Sequence, residues 1–203
     1  MMHNTARGAV RTPRGALLGL PWVERLRTPA AGPLRAAGSS GIPLTIEIGA
    51  ASGTGPTPLA AFDAALRELG VGDANLVRLS SVIPPRARLV RDSRVRKPIA
   101  WGDRLYCVYA AARADAPGER AAAGMGWVLR TDGSGAGLFV EHEAASAAEA
   151  EALIRASLTD MTRRRPADFG PIQLCTSEIR AAGEPGCALV LAAYLAAGWG
   201  GAA

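Results

Sequence analysis

The sequence predicts an α+β fold in which helices pack on the faces of mainly antiparallel sheets. Strand patterns outnumber helix patterns along the 203 residues, and the turn sequence TDGSGAG is typical of a hairpin between two of them. Hydrophobic residues make up 49% and charged residues 20% of the chain, which is the composition of a globular protein. A chain of this length buries roughly two thirds of its unfolded surface, so its core needs neither a disulfide nor a metal ion.

Residues 1–41 are predicted to be a disordered, basic extension that precedes a folded domain at 42–203. Residues 1–40 hold six arginines and one acidic residue, whereas the remainder holds 17 basic and 17 acidic side chains. The domain therefore has no overall basic field for nucleic acid. Its apolar runs fall short of the ~20 residues of a membrane span. The apolar segment 15–20 is short and is followed directly by Pro21, which argues against a signal peptide.

The first elements of the domain are a strand, a glycine-rich loop and a helix. Alternation in LTIEI predicts a strand at 44–48, and GAASGTGP predicts a loop after it. Thr57 is a suitable N-cap, Pro58 suits the first helical position, and Gly70 suits the position after the last turn. The expected apolar stripe of this helix is Leu59, Phe62, Leu66 and Leu69. A further strand is predicted over NLVRLSSVIPP, ending at its double proline.

The second half of the domain predicts more strands around one long helix. Ser146 and Glu149 form a capping box that opens a helix to about Arg164, and Pro166 prevents its continuation. PIQLCTSEIR predicts a strand, whereas the apolar run CALVLAAYLAAG fits either a strand or a buried helix. The other strands are predicted at 104–112, 123–130 and 137–144.

Familiar catalytic and metal motifs are absent from the sequence. There is no H-E-x-x-H, P-loop lysine or G-x-S-x-G, and His142 is the one histidine outside the extension. The three cysteines are odd in number and lack zinc-ligand spacing. We therefore expect no metal, no disulfide framework and a reducing cytoplasmic location.

Two polar features interrupt apolar patterns in the domain. Ser80 and Ser81 lie where packing would favour valine or isoleucine, and from the residues alone a hydrogen-bonded strand end accounts for such a pair. Asp63 lies along the edge of the apolar helix stripe and needs a partner, for which one of the chain's own arginines would serve.

Two further side chains have competing interpretations. Alternation places Phe139, Glu141 and Glu143 on one strand face, where an acid beside the aromatic ring would have a raised pKa. Either glutamate could instead be an ordinary exposed strand acid. Asn75 is either a hydrogen-bond donor near the serines or a turn-former.

Five segments, in order and spacing, resemble the pyruvoyl-dependent arginine decarboxylases. The pattern N-L-x-x-x-S-S-x-x-P-P and the upstream A-F-D are its most specific parts, and the resemblance covers about residues 44–194. The segments are PLAAFDAAL, GVGDANLVRLSSVIPP, DAPGE, GLFVEHE and GCALVLAAYL. The family implies a layered αββα sandwich that assembles as a trimer, or as two trimers, with active sites between subunits.

The resemblance implies that the chain cleaves itself between Ser80 and Ser81. In the family, the hydroxyl of the second serine attacks the carbonyl of the first and converts the amide into an ester. Elimination and hydrolysis then release ammonia and leave a pyruvoyl group at the start of the second fragment. Cleavage here would give a β chain of 80 residues and an α chain of 123. The pyruvoyl group is then the covalent cofactor. Lys97, the single lysine, lies in a basic loop and offers no obvious anchor for pyridoxal phosphate.

The family's activity implies conversion of L-arginine to agmatine and CO₂ through a Schiff base with that pyruvoyl group. By position, Asn75 matches the donor near the first serine's carbonyl, Asp63 the acceptor for the substrate guanidinium, and Glu141 the proton donor. The loop GAASGTGP and the basic segment 88–103 depart from the family pattern. Two alternatives therefore stay open: the same chemistry on another amino acid, or an unprocessed relative without activity.

Overall fold

The computed structural model describes residues 43–200, which form two β-sheets and two helices. The predicted extension at 1–41 lies outside the described residues. The strands are β1 Thr45–Thr54, β2 Asn75–Arg78, β3 Val82–Ile83, β4 Arg88–Arg91, β5 Arg104–Ala114, β6 Arg120–Leu129, β7 Gly137–Ala144, β8 Gln173–Arg180 and β9 Gly186–Ala197. The helices are α1 Pro58–Leu69 and α2 Ala147–Arg163.

The two sheets are mostly antiparallel and carry the helices on their outer faces. One sheet has the order β2-β5-β9-β1-β4 and the other has the order β3-β7-β6-β8. Only β1–β4 and β2–β5 pair in parallel among the described strands. One apolar core lies between the sheets, a second lies under α1, and a third lies under α2. The predicted α+β class is therefore confirmed, and the layers are consistent with an αββα sandwich.

The ambiguous apolar run near the end of the chain is strand β9. Its side chains alternate between two cores, with Leu189 and Leu191 under α1 and Val190 and Tyr194 between the sheets. A strand covered on both faces is apolar throughout, which explains why its sequence also fitted a buried helix.

The prediction of a glycine-rich loop after residue 48 is wrong, because β1 continues to Thr54. A Cβ atom on Gly53 would lie 2.4 Å from the backbone nitrogen of Ala65, and one on Gly49 would lie 2.5 Å from Leu69 Cδ1. These glycines therefore allow α1 to pack directly on the strand. Gly49 and Gly53 serve to let the helix approach the strand closely, and they do not form a turn.

The prediction of one strand over residues 75–85 is also wrong. Strand β2 belongs to the five-stranded sheet and β3 to the four-stranded sheet, so the chain changes sheets between them. The Leu79 amide still donates to the Cys107 carbonyl of β5, whereas the Ser81 carbonyl already accepts from the Phe139 amide of β7. The serine pair lies at this crossing. Strand β4 was not predicted at all.

Both helix starts are confirmed, and three of the four residues predicted for the apolar stripe of α1 pack in the core under it, namely Phe62, Leu66 and Leu69. The Thr57 and Ser146 side chains accept hydrogen bonds from the first turns of α1 and α2. Leu59, however, is 70% exposed, and Asp63 is exposed as well. Small residues, Ala61 and Ala65, instead form the buried face with Leu66 and Leu69. In residues 43–200 no helix has the length and apolar character needed to cross a membrane.

Candidate functional site

The backbone around Ser81 is held on three sides at the crossing between the sheets. The Val82 amide donates to the Ser80 carbonyl oxygen at 2.5 Å, which closes a three-residue turn centred on Ser81. The Ser81 carbonyl accepts from the Phe139 amide at 2.8 Å. The Val82 carbonyl accepts from the Tyr194 hydroxyl at 3.0 Å. The junction is therefore a tight turn between fixed strands.

Glu141 contacts the side chain of Ser81 directly. The Ser81 hydroxyl donates to Glu141 Oε2 at 2.8 Å, and Glu141 Oε1 is buried without a hydrogen-bond partner among the described residues. Glu141 shares its strand face with Phe139, which is fully buried between the sheets. Burial raises the pKa of Glu141, although the Ser81 hydrogen bond and the charge of Arg78 oppose this shift. The carboxyl can therefore hold a proton nearer to neutral pH than an exposed glutamate can.

Glu143, the second acid that the sequence places on this strand face, has a different environment. It is exposed, and its Oε1 accepts from the Ala111 amide at 3.1 Å. The strand alternation could not distinguish Glu141 from Glu143. The structure does, because Glu141 contacts Ser81 and Glu143 does not.

Two residues near Glu141 were missed by the sequence analysis. Arg78 donates to the Tyr109 carbonyl, and its guanidinium carbon lies 4.8 Å from the centre of the Tyr109 ring. Its charge partly opposes the rise that burial causes in the pKa of Glu141. Tyr194 reaches the site from β9, at a position hidden within an apolar run. Neither residue belongs to a spacing pattern that indicates chemistry.

Asn75 and Asp63 lie away from the serine pair within one chain. Asn75 Nδ2 donates to the Gly102 carbonyl at 2.7 Å, and the extended β2 spans roughly 10 Å between Asn75 and Arg78. Asp63 projects from α1, on the outer face of the five-stranded sheet, into an open pocket of about 930 Å³. Asp63, Ala64, Arg67, Glu68, Gly70, Gly72, Asp73, Arg94, Ile99 and Trp101 line this pocket, and neither Ser81 nor Glu141 is among them.

Lys97 is held in a structural contact. Its ammonium group donates to the Thr45 carbonyl at 2.7 Å and lies 3.9 Å from Glu47 Oε1. Both side chains of this ion pair are largely buried. Within residues 43–200 no group of three or more histidine, cysteine, aspartate or glutamate side chains is arranged to hold a metal ion.

Comparison with known proteins covers most of the domain. The family model described as pyruvoyl-dependent arginine decarboxylase matches residues 45–198. A protein of that name from Thermococcus kodakarensis is 34% identical over 145 residues, covering 71% of this chain and 90% of the relative. One from Methanococcus vannielii is 32% identical over 156 residues, covering 74% of this chain and 90% of the relative. The chain therefore belongs to the pyruvoyl-dependent arginine decarboxylase family.

Proposed function

We propose that the domain at 42–203 cleaves itself between Ser80 and Ser81 and then decarboxylates L-arginine to agmatine and CO₂. The hydrogen bond from Ser81 to Glu141, at the point where the chain changes sheets, is the observation that carries this proposal. Cleavage needs a hydroxyl beside a carboxylate that can take its proton, in a turn that brings the hydroxyl near the preceding carbonyl. Both conditions support Ser81 as the nucleophile.

Glu141 serves in both reactions under this proposal. During cleavage its Oε2 accepts the Ser81 hydroxyl proton while the oxygen attacks the Ser80 carbonyl carbon. The nitrogen of Ser81 then leaves that carbon and gains a proton, so an ester replaces the amide. During decarboxylation the raised pKa of Glu141 lets it hold the proton that the substrate's Cα requires after CO₂ has left.

The site fits the pyruvoyl group that the family description implies. When present, this group would supply an electrophilic carbonyl that binds the substrate amine and accepts the electron pair left on the substrate when CO₂ departs. It would derive from Ser81, whose backbone carbonyl is held by the Phe139 amide. Phe139 is fully buried and Glu141 is largely buried, so the chain already limits water at this position.

The pocket beside Asp63 supports a cationic substrate. It presents three carboxylates, from Asp63, Glu68 and Asp73, against the guanidinium groups of Arg67 and Arg94. An exposed carboxylate can accept two parallel N–H bonds from a guanidinium group, which selects arginine by shape as well as charge. Arg94 belongs to the basic segment 88–103, which departs from the family pattern. It lines this pocket and donates to the Arg67 carbonyl.

We further propose that the complete site forms between copies of the chain, in a trimer or a pair of trimers. Asp63 lies outside the five-stranded sheet, whereas Glu141 shares its strand face with a residue of the core between the sheets. Leu59 lies one helical turn before Asp63 and is 70% exposed, and Val82 directly follows Ser81 and is 55% exposed. Exposed apolar residues beside each half of the site support an interface that joins Asp63 of one copy to Ser81 of another.

A reducing, cytoplasmic location is also proposed. All three cysteines are buried and unpaired. Burial raises the pKa of Cys107 to about 12 and that of Cys187 to about 11, so these thiols stay protonated and unreactive.

The mass of the purified protein tests the central proposal. We expect two fragments: a smaller one that ends at Ser80, and a larger one that starts at residue 81 and whose blocked N-terminus resists Edman sequencing. This material should release CO₂ from arginine faster than from lysine, ornithine or histidine. An intact chain with activity, or activity that requires added pyridoxal phosphate, would contradict the proposal. Faster release from another amino acid would retain the cleavage and change the substrate.

Mixed assemblies test whether the site is shared between copies. Ser81→Ala removes the reacting group and Asp63→Asn removes the proposed guanidinium acceptor, so each variant alone should have little activity at limiting arginine. Assemblies formed from both variants together should regain activity, because some sites then combine Ser81 of one copy with Asp63 of the other. Co-assembly of Ser81→Ala with Glu141→Gln is the matched control and should regain none, since these residues belong to the same half. Equal activity in both mixtures would contradict a shared site.

A further inference from the structure

Val82 follows the reacting serine, and both of its backbone polar groups lie outside the sheet ladder. Val82 is paired with Leu138, but the ladder bond beside it joins the Ser81 carbonyl to the Phe139 amide. The Val82 amide is therefore free to donate to the Ser80 carbonyl oxygen, and the Val82 carbonyl accepts from the Tyr194 hydroxyl. Two non-ladder bonds thus fix the residue that directly follows the cleavage site.

Tyr194 is held rigidly where it makes this contact. It lies on β9 within the core between the sheets, and 5% of it is exposed. Its ring packs edge-on against Phe139 with a centroid distance of 6.2 Å. Burial, and the nearby charge of Glu141, raise the pKa of Tyr194, so its hydroxyl stays protonated and able to donate. The ring position is set by packing, whereas the hydroxyl makes one hydrogen bond to the junction.

The Ser80 carbonyl oxygen is the atom on which negative charge develops when the Ser81 hydroxyl attacks. A donor already directed at this oxygen stabilises the tetrahedral state without reorganising. The Val82 amide is such a donor within the same chain, at 2.5 Å. The direction of the Val82 N–H bond depends on the backbone dihedral angles at Val82. These angles are restricted when the Val82 carbonyl is held by the Tyr194 hydroxyl.

We infer that Tyr194 is a positioning residue for self-cleavage: by holding the Val82 carbonyl, it directs the Val82 amide at the Ser80 carbonyl oxygen during formation of the ester. The inference rests on the proposed cleavage between Ser80 and Ser81. The step itself is balanced within the chain. The bond from Ser81 Oγ to the Ser80 carbonyl carbon forms, the bond from that carbon to the Ser81 nitrogen breaks, and the hydroxyl proton passes through Glu141 to the leaving nitrogen.

Tyr194→Phe removes the hydroxyl and keeps the ring that packs on Phe139. We expect the first-order rate of self-cleavage to fall roughly tenfold, the effect of losing about one neutral hydrogen bond to the reacting backbone. Cleavage is followed by intact mass after synthesis of the precursor, so the readout does not depend on decarboxylase activity. Tyr106→Phe is the matched control: Tyr106 is partly buried against the same core and makes no hydrogen bond through its hydroxyl in the described structure. It should cleave at the wild-type rate.

Hydroxylamine identifies the step that is slowed. It cleaves esters, so it captures Ser80 as a hydroxamate only after the acyl shift has occurred. If Tyr194 acts on ester formation, hydroxylamine should leave the uncleaved Tyr194→Phe chain intact. Rapid hydroxamate formation in this variant would place the defect after the ester and overturn the inference, as would cleavage at the wild-type rate. A wild-type chain that never cleaves would instead refute the proposed function itself, and thermal melting of the variants checks that the fold is retained.

Discussion

Replacing Ser81 with alanine will leave the protein as one uncleaved chain with no decarboxylase activity. The hydroxyl of Ser81 is the only side-chain hydroxyl that contacts the Glu141 carboxylate among the described residues, and Ser81 directly follows the Ser80 carbonyl in the chain. Alanine removes that nucleophile and also the atom from which a pyruvoyl group would form. The effect should be complete rather than graded. Intact-mass measurement over days of incubation should find only the full-length species.

Ser80→Ala is the control that the serine pair itself provides. Ser80 contributes its carbonyl to the reaction, and its side chain is exposed and makes no hydrogen bond in the described structure. The alanine variant should therefore cleave, with the smaller fragment ending at residue 80. Cleavage in Ser81→Ala, or equal loss of cleavage in both variants, would contradict the assignment of Ser81 as the nucleophile.

Much of the fold could be predicted because local signals and packing agree. The caps Thr57 and Ser146 begin the two helices, and strand β7 has the bounds that its alternation predicts. The errors occur where tertiary contacts decide. Gly53 looks like a turn residue but lies in a strand because α1 crosses above it. The run at 75–85 has strand propensity throughout, and only pairing with different sheets shows where it breaks.

The site shows the same division between local and long-range information. Alternation correctly placed Glu141 on the same face as Phe139, but choosing it over Glu143 required the contact with Ser81, sixty residues away in the chain. Tyr194 could not be found from sequence, because a tyrosine in an apolar run is usually a core residue. Asp63 was expected at the edge of a buried stripe and is exposed, since the helix packs through its alanines instead.

Glu141→Gln will slow self-cleavage by roughly 10²–10⁴-fold, the usual contribution of a positioned proton acceptor. Glutamine has nearly the same shape, and its amide oxygen can still accept a hydrogen bond from Ser81, but it cannot take up the proton. Glu143→Gln is the matched control, because its amide oxygen can still accept from the Ala111 amide. That variant should cleave at close to the wild-type rate, as measured by intact mass.

The pH dependence distinguishes loss of a proton acceptor from loss of packing. Burial raises the pKa of Glu141, so below that pKa the carboxyl is protonated and cannot accept the Ser81 proton. Wild-type cleavage should therefore accelerate as pH rises through the raised pKa and then level off. Decarboxylation by the cleaved protein should show the opposite dependence and decline as pH rises through the pKa that Glu141 has in that form, because protonation of the substrate requires the proton to be on the carboxyl. Both dependences should be absent from Glu141→Gln, and a variant that kept either profile would show that another group transfers the proton.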